Sequence, residues 1–124
     1  MASITQTQVD LAAALTAVTG GAVRTLPATS PRAGDGWVNI ARVAPGSRVT
    51  TCDCTFVAVL VLGSDAARAA EQIRTLPVAL IDAVTTGPFH PDGVTVEPAE
   101  LPAGDVAPGS LYALILTLTL EVDS

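Results

Sequence analysis

The stretch Phe56-Val-Ala-Val-Leu-Val-Leu62 is apolar at every position, and it continues Val49-Thr-Thr-Cys-Asp-Cys-Thr55, where Thr51, Asp53 and Thr55 alternate with Cys52 and Cys54. Alternation with period two marks a strand with one wet face, and an unbroken apolar run marks a strand covered on both faces. Residues 49–62 are therefore expected to form one strand of about 14 residues, about 47 Å if straight. Either a helix or another subunit has to cover its second face between Phe56 and Leu62.

On the N-terminal side, Trp37 to Val43 alternates as a strand should, and Ala44-Pro-Gly-Ser47 supplies a turn into Val49, so the two strands read as an antiparallel hairpin. Pro27 to Gly36 is rich in proline and glycine and reads as a loop. Ala22 to Leu26 reads as a short extended piece. A helix is expected from Thr5 to Thr19, with Ile4, Leu11, Leu15 and Val18 on one stripe, a capping box of Thr7 with Asp10 or Thr5 with Gln8, and Gly20-Gly21 as its stop.

On the C-terminal side, Gly63 closes the long strand, Ser64 is placed to cap a helix, and Asp65 suits the first turn. Pro77 is expected to split that helix into segments 64–75 and 77–85, with Thr75 as the second cap. A loop at 86–93 leads to a strand at Val94 to Glu97. Residues 98–110, with three prolines and two glycines, read as an irregular loop, or an arm resting on a neighbour. The last strand, Leu111 to Val122, places Tyr112, Leu114, Leu116, Leu118, Leu120 and Val122 inward, with Ala113, Ile115, Thr117, Thr119 and Glu121 outward. The expected fold is a single α+β domain over residues 1–124, a mostly antiparallel sheet with an N-terminal helix and a broken helix packed on it.

With 124 residues, the size scaling gives roughly 6,200 Å² exposed when folded against about 18,000 Å² unfolded, enough for a real core. Apolar residues are 49% of the chain and charged residues 15%, and the mean hydropathy is positive, which excludes a disordered acidic tail. Twelve acids face six arginines and no lysine, a net charge of −6, so a grip on phosphate backbone is not expected. No secretion signal or membrane span is legible. Cys52 and Cys54, one residue apart, would form a strained bridge and read as reduced thiols, compatible with a cytosolic origin.

The catalytic inventory is thin. His90 is the single histidine and reads as a partly exposed loop residue; pairing it with Cys52 or Cys54 would require its loop to fold back onto the sheet. Cys52-Asp-Cys54 lacks the second ligand pair of a zinc site. Gly20-Gly21 and Gly34-Asp-Gly36 lack the context of phosphate-binding loops, and Asp92-Gly93 lacks that of a calcium loop. No catalytic residue, metal or cofactor is expected. The doubly apolar strand, the long loops and the alanine-rich helices together lean toward assembly.

In its order of elements the chain resembles the tail terminator proteins of long-tailed, siphovirus-type bacteriophages, in particular the small actinobacteriophage-like versions. The likeness runs from the N-terminal helix through Trp37-Val-Asn-Ile-Ala-Arg-Val43, Phe56 to Gly63 and Ser64-Asp-Ala-Ala-Arg-Ala-Ala70, then the short helix Val78 to Thr85 and the closing strand from Leu111 to Val122. The resemblance implies a structural virion protein located at the tail–head junction and assembled in the host cytoplasm. Such a protein forms a homo-hexameric ring, caps the tail tube, ends its polymerisation and meets the head-side connector or head-closure protein, while DNA passes through the lumen without sequence recognition. On that basis Phe56, Val57, Val59, Val61, Arg42, Arg48, Arg68 and Arg74 are candidate subunit contacts, and Asp35, Asp92 and Asp105 candidate lumen or tube contacts. The alternatives are a head-closure or head-to-tail connector protein, or a small monomeric ligand-binding or catalytic domain with His90 near a pocket.

Overall fold

The computed structural model describes residues 3–27, 31–102 and 110–123. In chain order they form α1 (Ile4–Thr19), β1 (Ala22–Arg24), β2 (Asp35–Pro45), β3 (Thr51–Gly63), α2 (Ala66–Thr86), β4 (Gly93–Pro102) and β5 (Ser110–Asp123). The five strands make one sheet in the order β1-β2-β3-β5-β4. β2, β3, β5 and β4 are antiparallel, and β1 adds three residues in parallel to the start of β2. This is an α+β fold, as expected.

The pleat sorts the apolar residues. Phe56 is paired with Ile40 and Leu118, Ala58 with Val38 and Leu116, and Leu60 with Gly36 and Leu114, so alternate residues of three strands line one face. Both helices close over that face. Leu11 and Leu15 of α1 and Ala69, Leu80 and Val84 of α2 join Val38, Phe56, Ala58, Leu60 and the even-numbered leucines of β5 in one buried cluster. Burying a side chain of this class is worth about 1.5–3 kcal/mol, so this face holds the sheet and helices together.

Val59, Val61 and Ala113 point to the opposite face. They are buried as well, at 8%, 3% and 0% exposure, although the cluster that the helices join contains none of them. Ala113, expected outward beside solvent, is thus enclosed, while Val57 and Ile115 are half-buried there.

Several local expectations change. The α1 cap is Ser3, whose hydroxyl accepts from the Gln6 amide at 3.2 Å, ahead of the boxes read from Thr5 or Thr7. Gly20 does end α1, with φ +70°. Asp65, not Ser64, caps α2, its Oδ1 accepting from the Ala67 and Arg68 amides. Pro77 does not split α2, which runs unbroken for 21 residues. A buried or half-buried stripe at Ala69, Ile73, Leu76, Leu80 and Val84 spans the proline, and tertiary packing outweighs the one hydrogen bond it removes.

β3 begins at Thr51, and Val49 lies in the turn, fully exposed. β4 continues past Glu97 through Pro98 to Pro102. β4 is an edge strand, where a missing N–H can face outward at no cost to the ladder. Residues 103–109 of the expected loop lie outside the described residues.

Candidate functional site

The β2–β3 hairpin forms an arm whose two strands are treated differently by the core. Cys52 and Cys54 on β3 are buried, whereas on β2 the burial ends after Val38: Ile40 and Val43 remain 42% and 53% exposed. A register shift between Ile40 and Arg42 is a bulge, which bends and twists an outer strand.

The root of that edge is sealed by a side chain, the Gln8 amide of α1 donating to the Val38 carbonyl at 2.6 Å. From there to Pro45, β2 has no strand partner on its outer side among the described residues.

The tip of the arm is braced against β5. The Ser47 hydroxyl donates to Glu121 Oε1 at 2.6 Å, the Thr51 hydroxyl donates to the same oxygen, and the Thr55 and Thr119 hydroxyls share a hydrogen bond at 3.0 Å. These donors hold the Glu121 carboxyl below its ordinary range, Ser47 contributing most, then Thr51, with a smaller pull from Arg48. The sequence places Glu121 simply as an outward strand residue; its role arises from a contact over 74 positions.

All six arginines, at positions 24, 32, 42, 48, 68 and 74, are exposed. Among the described residues none forms an ion pair. Arg42 lies on the arm, Arg48 in its turn, and Arg68 and Arg74 on the outside of α2.

Of the apolar interface candidates, Phe56 is fully buried and Val59 and Val61 nearly so within one chain. Phe56 is thereby corrected to a core residue: a side chain with no accessible surface cannot meet a neighbour. The same enclosure leaves Val59 and Val61 little to offer, and Val57 alone of the four keeps substantial surface.

Two clefts are notable. One, about 640 Å³, is lined by Thr7, Asp10, Phe89, His90, Asp92 and Glu121 among others. His90 adopts φ +50°, an uncommon conformation for a residue with a Cβ. Neither cysteine lines this cleft. Burial, and secondarily the neighbouring Cys52, push the Cys54 thiol above its ordinary value, which keeps it protonated and a poor nucleophile. Among the described residues no three His, Cys, Asp or Glu side chains are gathered so as to hold a metal ion.

The second cleft, about 330 Å³, brings together two residues expected in different roles, Asp35 and Arg68, beside Gly20, Gly21, Gly34 and Gln72. Gln72 Oε1 is buried there without a hydrogen-bond partner among the described residues. Asp35 is half-buried and accepts from the Arg32 amide at 2.9 Å, while Asp92 is exposed beside the first cleft. The structure therefore separates Asp35 from Asp92, and Asp105 lies outside the described residues.

No helix among the described residues is long and apolar enough to cross a membrane. Comparison with protein-family models and with curated proteins finds no match for the chain.

Proposed function

We propose that this chain is a noncatalytic structural subunit that assembles with copies of itself into a ring of the tail-terminator kind, capping a phage tail tube, stopping its growth and presenting its other surface to the head-side connector. The observation that carries this reading is the arm. Ile40 and Val43 extend the apolar series of β2 beyond the core and stay exposed, Val49 is bare at the turn, and yet the tip is fastened to β5 through Glu121. A braced arm with apolar surface is suited to insertion between neighbours, where exposed apolar groups gain by burial.

The charge pattern is compatible with the same role. With no lysine and a net charge of −6, a channel made from this chain would give passing DNA few persistent phosphate contacts, since cationic side chains make those contacts. Arg42, Arg68 and Arg74, exposed and without an ion-pair partner among the described residues, and Arg48, which exerts only a small pull on Glu121, are available for carboxylates on adjacent copies or on the tube, which their planar forks engage in bidentate fashion.

Electron microscopy of the purified protein mixed with preformed tail tubes tests the proposal. The expected image is added density of one ring at one end of each tube. Bare tube ends at saturating protein contradict it.

A further inference from the structure

The two edges of the sheet carry opposite charge. Arg24, Arg32, Arg42 and Arg48 all fall between residues 22 and 50, with Asp35 as the one acid of that stretch, whereas residues 75–124 hold seven acids and no arginine. The strand order turns this sequence asymmetry into a spatial one. β1 and β2, bearing Arg24 and Arg42, form one margin of the sheet, and β4, bearing Glu97 and Glu100 with Asp92 just before it, forms the other. Arg24, Arg42, Asp92, Glu97 and Glu100 are all exposed, and none has an ion-pair partner among the described residues.

Building on the ring reading, we propose that the β1–β2 edge of one copy docks against the β4 edge of the next, so that Arg24 and Arg42 face the partner's Glu97 and Glu100 in a head-to-tail contact repeated around the ring. The two surfaces are different patches of the same chain, which is the requirement for a heterologous interface that closes by rotation. Their lengths are similar: the open part of β2 from Val38 to Pro45 spans about 26 Å, and the ten residues of β4 span about 33 Å. Ile40 and Val43, on the same strand as Arg42 but on its other face, supply the apolar component.

Pro98 has no N–H, so a continuous backbone ladder across the contact is blocked at that residue. Side-chain charge, not strand addition, then carries recognition and register. The same arrangement disfavours an edge meeting its own kind, because like charges would oppose each other.

The test uses two variants of the full chain, followed by sedimentation at low ionic strength up to about 1 mM protein, the range where weak contacts become visible. Arg24→Glu/Arg42→Glu makes both edges acidic, and Glu97→Arg/Glu100→Arg makes both edges basic. All four positions are exposed, so circular dichroism should show wild-type folding. Each variant alone should self-associate at least about tenfold more weakly than wild type. An equimolar mixture should regain assembly as mixed particles in which the two variants alternate, and added salt should weaken it. Wild-type rings with variants that assemble equally well, or a mixture no better than its components, overturn the edge contact while leaving the ring. A wild-type chain that stays monomeric throughout overturns the edge contact as a self-sufficient interface, and bare tube ends in the microscopy above overturn the ring itself.

Discussion

Ser47 and Glu121, 74 positions apart, are joined by a hydrogen bond of 2.6 Å that ties the turn of the β2–β3 hairpin to the last strand. Because the bond favours the ionised carboxylate, Glu121 titrates below its ordinary value of 4.5. A group whose folded value is depressed stabilises the fold above its unfolded value and loses that contribution as the pH falls through the folded one. Wild-type stability should therefore drop on acidification from about pH 7 to about pH 3 by more than that of Glu121→Gln, which has no charge to lose. Urea midpoints of both proteins at the two pH values measure the difference; equal losses would remove Glu121 from the brace.

Gly21 and Gly34 meet backbone to backbone. A Cβ on Gly21 would stand 2.0 Å from the Gly34 carbonyl oxygen, which already accepts from the Ala22 amide at 2.8 Å. Neither side can yield cheaply, so Gly21→Ala should cost about 2–3 kcal/mol or more. Gly20→Ala meets nothing within 4 Å but must adopt φ +70°, and should cost only about 1 kcal/mol. Denaturant unfolding of the two variants gives the order.

Pro77 inside α2 removes an amide that would bond the carbonyl one turn earlier. Pro77→Ala should raise stability by about 1 kcal/mol, less than the full helix-interior penalty because alanine also leaves the unfolded chain freer. Thermal unfolding of the variant checks the sign. A loss of stability would show that the restriction the pyrrolidine ring places on the unfolded chain outweighs the hydrogen bond it removes.

Phe56 and Val49 separate folding from assembly. Phe56→Ala opens a cavity under both helices and should cost about 3–5 kcal/mol. Val49→Ser, at a fully exposed position, should change stability by no more than about 0.5 kcal/mol while weakening any contact the arm makes. Paired measurements of unfolding and of ring formation distinguish these outcomes.

The sequence pattern makes the sheet strands and α1 legible because their apolar periods are strong and local. Phe56 to Leu62 announces a strand enclosed on both sides, and β5 shows its faces through alternating leucine and threonine. What it does not show is where each strand lies in the sheet. Pro98 reads as a breaker until β4 is known to be an edge, and Pro77 reads as a break until the stripe from Ala69 to Val84 is seen packed on one core. The candidate site divides in the same way. Exposed arginines follow from composition, but the enclosure of Phe56, Val59 and Val61, the Glu121 brace and the charge difference between sheet edges depend on contacts between residues distant in the chain.

Termination of tube growth is the central claim, and tube length measures it directly. Tail-tube subunits polymerised with and without the protein should differ: tubes capped by the protein stop elongating and keep their length when more subunits are added, while uncapped tubes continue to grow. Tubes that elongate equally in its presence, at protein in excess over tube ends, would contradict the proposed role.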